Sequence, residues 1–114
     1  MSLLKIRDGG GGMFTVQDLS EIDTTYFEII RATGIAAEVR SRNTGHYWRI
    51  RSEYDYAAKR YHCIVEHRHR RWEPYHMQCT AIRLGSAINK IKKHDRFQMA
   101  GRDQSIYNKK SMKN

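Results

Sequence analysis

Residues 36–52 read AAEVRSRNTGHYWRIRS, and how this stretch pairs decides the fold. Two runs of alternating apolar and polar residues flank Asn43, Thr44 and Gly45, three turn formers, which is the pattern of a β-hairpin. Pairing Val39 with Trp48 and Ala37 with Ile50 gathers the apolar side chains on one face. The same register turns Arg40, Arg42, Tyr47, Arg49 and Arg51 to the other face and sets Glu38 opposite Arg49, a favourable cross-strand pair.

A second hairpin is expected beyond the polar connection SEYDYAAK (52–59). Tyr61, Cys63 and Val65 alternate in one arm, and Tyr75, Met77, Cys79 and Ala81 in the other. A turn near Arg71 would set Cys63 opposite Cys79 and Val65 opposite Met77 on the buried face. Both cysteines then read as small core residues, too few for a disulfide scaffold and without zinc-type CxxC spacing. Pro74, the single proline, belongs near the turn or at an open edge.

Before the hairpins, Leu19, Ile22, Tyr26, Ile29, Ile30 and Thr33 recur at helical spacing. Asp18 and Glu21 resemble a capping box, and Gly34 is placed to stop the helix. TTYFEIIRAT (24–33) is also rich in β-branched and aromatic residues. Strand alternation there would put apolar residues on both faces, so the helix is the expectation. A second helix is predicted from about Leu84 to His94 with Leu84, Ile88 and Ile91 buried. The result is an α+β domain of order α-β-β-β-β-α, with both helices on one face of an antiparallel sheet of about four strands.

At 114 residues the chain is long enough for one small domain. That domain is expected over residues 13–100, with 101–114 a flexible basic tail. Residues 1–12 end in four glycines before Met13 and read as a translated leader plus vector residues, or as a flexible linker. On the first of these readings Met13 is the native start. No run of about 18 apolar residues exists, so no membrane-spanning helix is expected. With no secretory signal either, a cytoplasmic location is the default.

The charge is uneven. From Met13 to Ile30 there are four acidic residues and no Lys or Arg, whereas from Arg31 onward there are nineteen basic residues against seven acidic. Such a surplus attracts polyanions. Guanidinium forks suit phosphate oxygens, and an aromatic ring among them can stack on an unpaired base. The candidate nucleic-acid-binding residues are therefore Arg40, Arg42, Tyr47, Arg49, Arg51, Arg68 and Arg70. Of these, Arg40, Arg49, Arg51 and Arg68 are the expected phosphate contacts and Tyr47 the stacking ring. Whether the partner is DNA or RNA stays open. A protein-binding or homo-oligomeric module without nucleic acid is the alternative, prompted by the charge segregation and by an open sheet edge.

Two enzymatic or metal-binding readings concern histidine. The stretch 34–50, GIAAEVRSRNTGHYWRI, resembles the start of the HicA-type mRNA interferase toxins, whose small double-stranded-RNA-binding-like fold presents a histidine after Gly-Ser. Thr44-Gly45-His46 stands in that place, and the resemblance implies His46 as general acid or base in RNA cleavage. Farther on, EHRHRRWEPYH (66–76) holds three histidines. In the register above, His67 and His69 share the side of Val65, whereas His76 pairs with Glu66 on the outer face. These three do not converge, so no metal and no cofactor is expected; an ion would require either His67 and His69 with ligands from elsewhere, or a different register.

Overall fold

The hairpin of residues 36–52 is present in the computed structural model of the protein, which describes residues 13–112, with side chains through Gly101. Strands β2 (Ala36–Ser41) and β3 (Tyr47–Asp55) pair antiparallel with Val39 opposite Trp48, Ala37 opposite Ile50 and Glu38 opposite Arg49. Gly45 makes the turn with φ +77°, a left-handed conformation that glycine adopts without steric cost. A Cβ there would lie 3.3 Å from Nη2 of Arg40.

Three more strands extend this hairpin into a five-stranded antiparallel meander, β1-β2-β3-β4-β5. These are β1 (Phe27–Ala32), β4 (Arg60–Arg68) and β5 (His76–Ala81), framed by a short helix α1 (Val16–Ser20) and a long helix α2 (Leu84–Met112). The predicted α+β class stands, with five strands rather than four. The first half of the connection SEYDYAAK is strand: β3 runs to Asp55, whose carboxylate accepts hydrogen bonds from the Ala57 and Ala58 amides to tighten the turn into β4.

The expected first helix is corrected. Only Val16–Ser20 is helical, with Thr15 as N-cap and Asp18 completing the capping box. The residues from Phe27 to Ala32 are a strand instead. Ile29 pairs with Val39 and Arg31 with Glu38, which leaves Ile30 as an extra residue, a β-bulge. The bulge resets the alternation, so apolar side chains on both faces are compatible with a strand here. Gly34 stops no helix. It lies in the β1–β2 turn where its carbonyl accepts from the Phe14 amide at 2.6 Å, and a Cβ would lie 2.8 Å from Met13 Cε.

A second bulge corrects the β4–β5 register. Cys63 pairs with Ala81 and Val65 with Cys79, then Glu66 with Met77 and His67 with His76, leaving Gln78 extra. Met77, expected in the core, is exposed, and His76 faces His67 rather than Glu66.

The core lies between the inner sheet face and α2. Phe27, Val39, Trp48, Ile50 and Val65 from the strands meet Leu84, Ala87, Ile88 and Ile91 from the helix, the predicted stripe plus one alanine. Cys63 and Cys79 belong to this packing as expected, both as free cysteines. The helix continues past its expected end near His94 to Met112. The leader assigned to residues 1–12 lies outside the described residues. Among the described residues no helix is long and apolar enough to cross a membrane.

Candidate functional site

Strand pleating divides the candidate residues between the two faces. Arg40, Tyr47, Arg49, Arg51 and Arg68 lie on the outer face as predicted, but the four arginines are members of ion pairs. Glu66 accepts from Nε of Arg49 at 2.7 Å and from Nε of Arg51 at 2.9 Å. Arg51 also reaches Glu53, Arg68 reaches Glu38 and Arg40 reaches Glu28. Four arginines thus meet four glutamates, and the centre of this face carries little net charge. Burial opposes ionisation of Glu66, but the hydrogen bonds from Arg49 and Arg51 prevail and hold its carboxyl below the usual carboxylate range.

The Glu38 carboxylate does not engage Arg49, its cross-strand neighbour. It accepts instead from the Tyr75 hydroxyl at 2.6 Å and from Arg68 at 3.3 Å. The guanidinium carbons of Arg49 and Arg68 lie 4.4 and 4.2 Å from the centre of the Tyr75 ring, so Tyr75 is held by both cations. Burial and the Glu38 bond push its hydroxyl pKa upward.

Two predicted residues lie elsewhere. Arg42 follows the end of β2, and its guanidinium donates to the Thr24 carbonyl, tying the turn to the segment before β1. Arg70 belongs to the β4–β5 turn, where its guanidinium carbon is 5.9 Å from the ring centre of Trp72, a residue 78 % exposed. Exposed Arg71 lines a shallow hollow together with Arg40, Tyr47, Glu28, Ile29 and Ile30. The tip of this hairpin therefore joins the Arg40–Tyr47 end of the outer face, an adjacency that sequence spacing cannot convey.

The inner face holds what the sequence reading missed. Nε2 of His67 lies 3.0 Å from Nδ1 of His46, and the His46 ring stacks on His69 with centres 4.2 Å apart and an interplanar angle of 16°. His67 also stacks on Trp48 at 4.1 Å and meets His76 at 5.5 Å and His94 at 5.2 Å. Five of the six histidines in the chain are thus in one cluster. The Gln78 bulge brings His76 into it by changing the face of that residue. Burial, reinforced by the neighbouring imidazoles, lowers the His67 pKa to about 3.

His46, the alternative catalytic residue, is buried in this cluster and is no exposed turn side chain. A hydrogen-bond chain fixes its backbone: the His46 amide donates to Oγ1 of Thr44, and that hydroxyl donates to Oδ1 of Asp95. Asp95 is fully buried and also accepts from the Tyr26 hydroxyl at 2.7 Å. Burial and Asp95 raise that hydroxyl's pKa to about 12. The arginines of the outer face are on the opposite side of the sheet from the His46 ring.

No protein-family model, curated protein or solved structure matches this chain.

Proposed function

We propose that the protein binds single-stranded nucleic acid at the β4–β5 hairpin tip and the adjoining end of the outer face. Arg40, Arg70 and Arg71 supply phosphate contacts, and Trp72 and Tyr47 supply stacking surfaces. One observation carries this reading: a nearly fully exposed Trp72 beside Arg70, next to a hollow lined by Arg71, Arg40 and Tyr47. An exposed indole among guanidinium groups suits an unpaired base with its phosphates, because stacking tolerates any base and arginine forks match phosphate oxygens. Arg49, Arg51 and Arg68 change role in this reading. Hydrogen bonds to Glu66 and Glu38 make them supports of the surface rather than its phosphate contacts, whereas Arg40 meets the exposed Glu28 only at 3.7 Å.

The test is a salt-titrated binding assay with single- and double-stranded DNA and RNA, read by the fluorescence anisotropy of a labelled oligonucleotide. Binding to single strands should weaken as salt rises. Trp72→Ala should lower affinity by roughly tenfold, the lower part of the range for one stacked base. The double variant Arg70→Ala/Arg71→Ala should reduce the salt dependence, by about 0.7 in log–log slope per lost contact. Arg49→Ala/Arg51→Ala should leave affinity nearly unchanged. Absence of binding at low salt, or full affinity in the Trp72 and Arg70/Arg71 variants, overturns the reading. Strand breaks on prolonged incubation with RNA would instead favour the ribonuclease alternative.

Self-association is a second reading, favoured by the β1 edge. Among the described residues that strand is an open edge, with Ile29, Ile30 and nearby Ile35 exposed. A mass in solution above that of one chain, abolished by Ile30→Lys, would support it; a monomer at all salt concentrations would exclude it.

A further inference from the structure

We propose that His46, His67 and His69 form a binding site for a divalent transition-metal ion, zinc foremost, at the end of the inner sheet face. One ring nitrogen from each of the three lies within 4.8 Å of the others. His46 and His67 are buried and His69 is exposed, so the site has a fixed floor and an entrance.

The geometry suits a tetrahedral ion. With metal–nitrogen bonds of about 2.0–2.1 Å, ligand nitrogens sit roughly 3.4 Å apart. The 3.0 Å separation of His46 and His67 therefore needs to open by only a few tenths of an ångström. The third nitrogen must move inward by up to about 1.4 Å on the same geometry. His69, just beyond the end of β4 and open to solvent, can make that movement by side-chain rotation. In the metal-free state the close contact between two imidazoles is a hydrogen bond sharing one proton. When the ion binds, the donor ring carries its proton on its other nitrogen, so that both neutral rings turn a lone pair to the metal and no proton need be lost.

The donor set selects the class of ion. Three imidazoles suit zinc, copper or nickel, whereas calcium and magnesium prefer oxygen. Water completes the shell, since His76, whose ring centre is 5.5 Å from that of His67, falls outside the group of three. The support is also of the right kind. Trp48 backs the His67 ring, and the Asp95–Thr44 pair fixes the backbone at His46, which restricts the ligands before any ion arrives.

The test uses the full chain without a polyhistidine tag, stripped with chelator and titrated with zinc chloride, with magnesium chloride as control. Imidazole nitrogen shifts, melting temperature and calorimetric stoichiometry are followed together. We expect one zinc per chain, a higher melting temperature with zinc but not magnesium, and shifts in the rings of His46, His67 and His69. His69→Ala removes an exposed ligand with little risk to folding and should weaken zinc binding by roughly tenfold or more, as loss of even an outer-shell partner does. His62→Ala, on the outer face beside Asp55, should leave it unchanged. A chain that binds no zinc at micromolar concentrations overturns the proposal. So does one in which His69→Ala keeps full affinity, or whose histidine shifts are confined to His62.

Discussion

Asp95 shows how much one side chain can hold in a domain of this size. Its carboxylate is fully buried and accepts hydrogen bonds from Tyr26 before β1 and Thr44 in the β2–β3 turn. It thereby joins α2 to two distant parts of the sheet side. Replacing it with alanine leaves two hydroxyls without their acceptor, at about 1–3 kcal/mol for a buried polar group that loses its partner. We expect Asp95→Ala to destabilise the protein by roughly 3 kcal/mol or more, since two groups are affected, measured from the urea midpoint. Tyr26→Phe removes only one hydroxyl and should cost about 1 kcal/mol. Equal losses for the two would mean that Asp95 has no role beyond receiving Tyr26.

At the scale of the strands, Glu66 links β3 to β4 by accepting from both Arg49 and Arg51. Its carboxyl titrates lower in the folded chain than in the unfolded one. The bonds therefore stabilise the fold above the unfolded value of about 4.3 and are lost as pH falls below it. Urea midpoints should fall as the pH is taken below that unfolded value. Glu66→Gln should make that drop shallower, and an unchanged slope would remove Glu66 from the account. The two bulges explain what the sequence concealed. The β2–β3 register was legible because alternation from Ala36 to Arg51 is unbroken, so Val39–Trp48 and Arg40–Tyr47 follow from period two alone. In β1 and β5 a single extra residue reverses the faces beyond it, and an uninterrupted period-two reading then fails. Ile30 made a strand resemble a helix, and Gln78 concealed the approach of His76 to His67. The candidate arginines were correctly placed on one face wherever they lie within a strand. Their carboxylate partners were not foreseen, because Glu28 was assigned to a helix and Glu66 was paired with His76. The bulge assignment has an unusual consequence: deleting Gln78 should be tolerated, because β5 then matches β4 residue for residue. A nuclear Overhauser contact between His67 and His76 should survive that deletion. Deleting Thr80, which lies opposite Ile64, also leaves five residues facing five but exchanges the faces of Gln78 and Cys79, and should cost more stability.

Across the whole molecule, the acidic segment and the basic remainder partly neutralise each other within one chain. Lys92 of α2 lies 3.2 Å from Asp23, whose carboxyl is lowered to about 2 by hydrogen bonds from Thr25 and from this lysine. The charge asymmetry that suggested docking between subunits is thus used in part to seat α2. Of what remains, Arg70 and Arg71 stand at the hairpin tip and Lys93 and Arg96 are exposed along the helix. The order of the elements adds a temporal dimension. Every strand pairs with the one synthesised just before it, so the sheet can zip up progressively on the ribosome. The helix that shields Trp48, Ile50 and Val65 begins only at Leu84 and, at roughly 5–20 residues per second, takes a few seconds more to appear. During that interval a finished sheet stands with its oily side bare. A chain terminated after Arg83 should accordingly be captured by chaperones or precipitate, and should recover solubility when the missing helix is supplied as a separate peptide.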